Sequence, residues 1–503
     1  MSTIRRQSII SSFVVYFGFA LGFLNTYLFT REGGGFTKEQ YGLTATFIAI
    51  ANIMHSVASL GMPSFISKFF PYYKARLDRS NNDMLGVALL FNCIGFLFVI
   101  IFGFAFKDIV IERFNNSPDV QVYYNWLFIF GFGLTIYTLL ESYGWQIRKA
   151  VLTTFLREVL FRAFTTTLIL AMTFGIITKF DIFIKVYSFN YLFIALVLFA
   201  YILFTKKGKL VFKISRVTEK FFNKILSICS LTWTGGLISN VSRVFDTLII
   251  AAILPNGLGH AAIFTLGQFI SSLIQAPQRG IISASIGPLS QAWREKNMEK
   301  IDQVYHRSSI NQLVFSTAMF CLIWLNFEDG ITTFHLQPDY LQAKHVFLFI
   351  GLSCIIDMGT GLNSQIIGTS TYWRFEFISS LVLLGFSLPL NYFLTKHLGI
   401  VGPAISNLVA LTAYNFIRYL FLLRRFNLQP FTAKSLYTII LAAGCYIICF
   451  WLFDSYRGLE WMIVRSLLYL VLFGAGAIIL KLSPDVLHLW DAIVNKLKGN
   501  KQQ

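Results

Sequence analysis

Six arginines stand inside long apolar runs of this sequence: Arg157, Arg162, Arg243, Arg279, Arg418 and Arg465. A guanidinium in hydrocarbon costs at least ~2.5–3.5 kcal/mol on insertion scales, so it faces a bundle interior, pairs with an acid, or snorkels to an interface. Arg418 and Arg465 fall near the ends of their runs and are expected to snorkel. Arg162 is about 11 residues into its run, roughly 16 Å deep. Glu158, four residues earlier, can partly neutralise it. Arg243 and Asp246 are three apart and can pair similarly, or do separate work. Guanidinium groups hold phosphate oxygens through forked, charge-assisted hydrogen bonds. Arg157, Arg162, Arg243 and Arg279 are therefore the candidates for a cationic, anion-binding lumen. Glu158 and Asp246 are the candidate ion-coupling carboxylates.

Uncharged polar residues add a second pattern. Thr265, Gln268, Ser272, Gln275 and Arg279 are spaced 3, 4, 3 and 4, which places them on one face of a helix. Asn52, His55, Ser56 and Ser59 form a similar face near the N-terminus. A shift of 220 residues lays Asn52 on Ser272, His55 on Gln275 and Ser59 on Arg279, as two parallel repeats would. Such residues can simply bond helices together; a stripe ending in arginine favours a cavity wall. Asn52, His55, Gln268 and Gln275 are accordingly candidate substrate contacts. A second echo joins Thr153, Thr154, Phe155, Leu156, Arg157 and Glu158 to Ser370, Thr371, Tyr372, Trp373, Arg374, Phe375 and Glu376. At a span end, Arg374 and Glu376 are expected to snorkel and pair. A lipid diphosphate bearing a sugar chain suits a lumen of this kind. Arginines meet its phosphates, polar and aromatic side chains its sugars, and the tail stays in the bilayer.

The elements that must position these residues are membrane spans. Of 503 residues, 55% are hydrophobic and 13% charged, far below the quarter charged of a soluble domain. Continuous apolar runs fall at 8–30, 41–65, 83–106, 121–144, 151–178, 182–205, 224–253, 260–287, 308–327, 343–365, 374–395, 399–421, 434–453 and 460–481. Each is long enough to cross ~30 Å of hydrocarbon, and their continuity excludes a membrane β-barrel. The fold class is thus all-α integral membrane, with about 14 transmembrane helices. The first run, preceded by Arg5 and Arg6, exceeds a signal-peptide core and lacks a cleavage site; it is expected to stay as a helix.

Lys and Arg are about threefold more numerous on the loops that share a side with the N-terminus, which places both termini in the cytoplasm. The net charge of +18 then reads as a partner for anionic membrane lipids, not nucleic acid. Residues 1–205 form an N-terminal bundle of spans 1–6, and 206–223 a basic cytoplasmic linker with Lys206, Lys207, Lys209, Lys213, Arg216 and Lys220. Residues 224–421 form a second six-helix bundle (spans 7–12), and 422–503 two extra spans and a cytoplasmic tail. The six cysteines lie in apolar runs without CxxC spacing, so neither a disulfide framework nor a metal site is expected. No cofactor motif, P-loop or hydrolase signature is present, and no enzymatic activity is expected.

Several local motifs resemble polysaccharide flippases of the MOP superfamily. They are Glu39-Gln40-Tyr41-Gly42 opening span 2, Leu60-Gly61-Met62-Pro63 at its exit and Arg243-Val244-Phe245-Asp246 in span 7. Ile286-Gly287-Pro288-Leu289-Ser290 ends span 8, and Leu398-Gly399-Ile400-Val401-Gly402-Pro403-Ala404 opens span 12. Their order covers essentially the whole chain. The resemblance is to Wzx-type O-antigen or capsule repeat-unit transporters. It implies movement of undecaprenyl-diphosphate-linked oligosaccharide between leaflets of the bacterial inner membrane by alternating access. It also implies antiport of H+ or Na+ in at least some members. The relative that flips the peptidoglycan precursor carries functional arginines on spans 1, 2 and 8. Here spans 1 and 2 hold no deep arginine, and Arg279 follows Pro277 instead of preceding the helix proline. A MATE-like cation-coupled exporter is the rival within transport, expected with twelve spans and an acidic cavity. A membrane glycosyltransferase or polymerase would need a sizeable external loop with catalytic acids, and Glu328-Asp329 is the only adjacent acidic pair.

Overall fold

The structure, a computed structural model, describes residues 3–78, 80–205 and 208–487. Lys206 and Lys207 of the basic linker, and the tail from 488, lie outside the described residues. Every regular element among the described residues is helical. Among the described residues, twelve helices are long and apolar enough to cross a membrane, or thirteen if a bent pair is one span. The remaining expected crossing, span 5, is helical from 150 to 173 but contains a π turn at Leu156–Leu160 and three charged residues. At 1.5 Å per residue its 24 helical residues are still long enough to cross ~30 Å of hydrocarbon.

The chain divides into two compact units, Met1–Ala262 and Ile263–Gln503. In the first, α1 (Thr3–Thr30), α2 (Lys38–Ala58), α3 (Met62–Arg76), α4 (Met84–Ala105) and α5 (Tyr124–Gln146) precede α6 (150–173). Then come α7 (Phe180–Phe204) and α8 (Arg216–Ile253). Alpha2 is started by a capping box, in which Thr37 accepts the Gln40 N–H and the Gln40 side chain accepts the Thr37 N–H. It packs on α4, α5 and α8, while α1 packs along α6. Gly61 turns the chain from α2 into α3 with φ of 73°, a left-handed conformation that a side chain would strain. A methyl group there would also collide with the Cys229 backbone of α8. This is the physical content of the Leu60–Pro63 motif.

Alpha8, the seventh span, belongs to the first unit. Its N-cap Ser215 donates its N–H to buried Asp83 at 2.8 Å, and Thr218 donates its hydroxyl to the same carboxylate at 2.6 Å. Tyr73 closes the cluster with a 2.6 Å bond to Thr218. The start of α8 is thereby tied to the α3–α4 turn.

Across the unit boundary runs α9 (Gly257–Ser272), followed by α10 (Ala276–Arg294) and α11 (Met298–Thr333). The second unit continues with α12 (Ala343–Gly359), α13 (Asn363–Thr369), α14 (Trp373–Leu398) and α15 (Val401–Phe426). Finally, α16 (Ala433–Phe453) and α17 (Leu459–Ile479) pack together and against α11. Their shared core includes Ile310, Val314, Cys445, Tyr469 and Phe473. The two extra spans are therefore a packed part of the second unit.

Candidate functional site

In the first unit the charged residues converge on the π turn of α6. A π turn adds a residue to the helical repeat and reorients the side chains it carries, a distortion frequent at functional sites. Arg157 lies in that turn and donates to Glu141 of α5 at 3.3 Å. The Glu141 side chain is 6% exposed and that of Arg157 53% exposed. One carboxylate thus holds Nη1 of a guanidinium whose side chain keeps open surface. Arg162, one turn on, pairs with Glu158 at 3.0 Å. It also donates to the Gly18 carbonyl of α1 and lies over the Phe19 ring, 5.5 Å from its centroid. Gly18 and Gly22 let α1 approach this closely: a methyl on Gly22 would stand 2.8 Å from Arg162 Nη1. Asn25 donates to the Arg162 carbonyl at 3.0 Å and accepts from the Thr166 hydroxyl at 2.6 Å.

His55 is buried on α2, within Coulombic reach of Arg157, and its Nδ1 has no hydrogen-bond partner. Asn52 is half-buried and donates to the Ile48 carbonyl at 2.7 Å. Ser56 beside them receives Asn240 of α8 at 2.8 Å, and the Trp233 indole donates to the Ser56 carbonyl at 2.8 Å. Part of the α2 face is thus bonded to α8. The signal for Trp233 and Asn240 was their polarity within span 7. Arg157, Glu158 and Arg162 therefore meet with Glu141 and His55 in one region of the first unit. Arg243 stands apart, exposed on α8, while Asp246 is buried. The pairing that their spacing allowed is absent: Arg243 makes no ion pair among the described residues.

The stripe on span 8 does not lie on one helix. The helix breaks after Ser272 and restarts at Ala276 with a bend of 53°. Pro277 causes the interruption, since it lacks an N–H and disfavours helical geometry in the residue before it. Gln268 is half-buried on α9, Gln275 sits at the break as N-cap of α10, and Arg279 is exposed on the first turn of α10. A 3-4-3-4 spacing does not survive such a bend as one continuous face.

Two expectations for the remaining arginines are overturned. Arg418 does not snorkel; its side chain is buried and pairs with Glu376 of α14, with further bonds to Ser364 and Tyr414. Glu376 is therefore held mainly from α15, not by a surface contact with its neighbour Arg374. Arg465 is likewise buried, donating to Asp329 at 2.6 Å and to Asn326 at 2.8 Å. Each arginine lies on a helix whose packing face carries an acid at the same depth, so pairing replaces escape to the interface. Asp329 also receives Arg457 at 3.0 Å, and Glu328 binds Lys344 at 2.6 Å. Both members of the adjacent acidic pair are thus committed to ion pairs.

Around Arg418 the second unit holds a network that sequence reasoning passed over. Gln278 of α10 donates to Asp357 of α12 at 2.8 Å, and Asn415 of α15 donates to its other oxygen at 3.2 Å. Asn415 in turn accepts from Asn363 at 2.8 Å and Thr360 at 3.1 Å. Asp357 is an acid inside an apolar run, which is the signal that could have found it.

No protein-family model and no curated protein matches the chain. Among solved structures, it is similar to the lipid II flippase MurJ in an inward closed conformation, with TM-score 0.64 and 17% identity over 94% of this chain and 98% of that one. An inward-facing multidrug resistance MATE transporter of the MOP superfamily gives TM-score 0.63 and 14% identity, over 81% of this chain and 94% of that one. The Vibrio cholerae MATE transporter VcmN gives 0.52 and 15%, over 85% and 98%. At these identities the likeness establishes architecture alone: the chain has the multi-pass helical fold seen in these MurJ and MATE structures.

Proposed function

We propose that the protein is a flippase that moves undecaprenyl-diphosphate-linked oligosaccharide repeat units from the cytoplasmic to the outer leaflet of a bacterial inner membrane, supplying O-antigen, capsule or exopolysaccharide synthesis. The observation that carries this reading is Arg157, a half-exposed arginine inside an intramembrane helical run, paired through Nη1 with a buried carboxylate. An apolar or cationic cargo gives no reason to keep such a group; a diphosphate does. Arg157 and Arg162, which lie together in the first unit, contact the diphosphate, and Arg243 and Arg279 are further cations for it, each on its own helix. Asn52, His55, Gln268 and Gln275 contact sugar hydroxyls. Glu158 and Asp246 respond to a coupling H+ or Na+. Both termini are cytoplasmic, and transport proceeds by alternating access. The MurJ structure, a lipid II flippase to which the chain is similar over 94% of its own length and 98% of that chain, supports this reading.

A MATE-like exporter is the second reading, favoured by the comparable likeness of the MATE fold over 81% of the chain. Surface-polysaccharide display in the host cell separates the two. Arg157→Ala, Arg162→Ala, Arg243→Ala and Arg279→Ala at wild-type membrane levels are expected to lower display. Normal display in all four, with loss of drug efflux instead, overturns the flippase reading in favour of the exporter.

A further inference from the structure

At the lysine- and arginine-rich end of the second unit, the ends of three long helices surround a recess of about 830 Å³. Alpha11 is 36 residues long, about 54 Å at 1.5 Å per residue, against ~30 Å of hydrocarbon. Its first turns carry Glu299, Lys300, Asp302, His306 and Arg307, so the surplus length projects past the apolar layer at this end. Lys434 is the second residue of α16, and Leu482 follows the last turn of α17. These ends lie at the depth where a span leaves hydrocarbon for headgroups. Lys300, Arg307 and Lys434 line the recess beside Val304, Ile310 and Leu482.

The cations are not equivalent. Arg307 is already bound by Asp485, and His306 lies 3.2 Å from Asp302. Lys300 and Lys434 have no acidic partner among the described residues. The recess therefore presents two unneutralised ammonium groups next to an apolar wall. Its size is that of a small-molecule site, large enough for a headgroup and the first methylenes of two chains. A soluble anion would use only the charged half of such a lining.

We propose that this recess binds an anionic phospholipid from the adjacent leaflet, with Lys300 and Lys434 on the headgroup phosphate and the proximal acyl chain against Val304, Ile310 and Leu482. A lipid seated there ties the N-terminal end of α11 to the α16–α17 pair. The site goes beyond the proposed transport function and involves none of its residues.

The test uses delipidated full-length protein in detergent, titrated with dioleoyl-phosphatidylglycerol or dioleoyl-phosphatidylcholine and read by native mass spectrometry. Wild-type protein should prefer phosphatidylglycerol. At about fivefold per lysine near a charged surface, the double variant Lys300→Ala/Lys434→Ala should bind it roughly 25-fold more weakly, with phosphatidylcholine binding unchanged. Lys396→Ala should bind phosphatidylglycerol as the wild type does. An undiminished preference in the double variant overturns the site. A loss in Arg157→Ala but not in the double variant overturns it too, by moving the lipid to the proposed transport residues. Competition by glycerol phosphate at concentrations comparable to the lipid would make the recess a soluble-phosphate site and overturn the lipid assignment.

Discussion

Arg157 and Glu141 allow binding and support to be separated within one ion pair. Glu141 is buried and Arg157 is half-exposed, so removing the arginine has two consequences. It deletes a cation from the proposed diphosphate site, and it leaves a buried carboxylate without its partner. A charge-assisted hydrogen bond is worth ~1.5–3 kcal/mol, so Arg157→Ala is expected to slow transport by about 10- to 150-fold. An orphaned buried acceptor costs ~1–3 kcal/mol, and the lower end applies here because solvent screens the exposed guanidinium. The variant should therefore also lose a few degrees of thermal stability. The double variant Glu141→Gln/Arg157→Ala removes the orphan charge, so stability should return while transport stays lost. Arg157→Lys keeps the charge but not the fork and should retain only part of the activity. Stability is read by tryptophan fluorescence on heating in detergent, and transport by surface-glycan display. Recovery of transport in the double variant would show that Arg157 serves only to neutralise Glu141, and would refute the reasoning.

Other perturbations probe different contacts. Arg243→Ala and Arg279→Ala remove exposed side chains, so each should reduce transport by about tenfold, one lost phosphate contact, with an unchanged melting profile. Unchanged transport removes the residue from the site. Arg465→Ala leaves buried Asp329 with only the exposed Arg457 as its ionic partner and should destabilise the protein by ~1–3 kcal/mol, whereas Asp329→Asn/Arg465→Met should be milder; equal melting of both variants contradicts this. Gly18→Ala would place a methyl 2.7 Å from the Glu158 carbonyl oxygen, a backbone atom, whereas Gly22→Ala meets the movable end of Arg162. Overpacking against backbone should cost ~1–3 kcal/mol in Gly18→Ala and less in Gly22→Ala, an order that thermal unfolding reports.

The membrane class and most of the spans were legible because ~20-residue apolar continuity is a property of local sequence. So was the Glu158–Arg162 pair, which needs only the i, i+4 geometry of one helix. Contacts between helices were not. Nothing near Arg418 in sequence shows that Glu376 faces it, and the same holds for Arg465 with Asp329. Both arginines were therefore misplaced at the interface. The 220-residue offset treats span 8 as straight, although Pro277 marks the break. The π turn at Leu156–Leu160 carries no sequence signature, yet it lies where Arg157 and Glu158 are presented. Asp357 was visible as an acid in an apolar run. Its role was not legible because its partners Gln278 and Asn415 come from distant spans.

The decisive experiment is leaflet-resolved labelling of an undecaprenyl-diphosphate-linked oligosaccharide in proteoliposomes, with wild-type protein, with Glu141→Gln/Arg157→Ala, and without protein, each under imposed H+ and Na+ gradients. Wild-type protein should carry the glycan to the opposite leaflet without lengthening it, and the double variant should match protein-free vesicles. Lengthened glycan would make the protein an enzyme. No wild-type transfer under either gradient would contradict the flippase assignment.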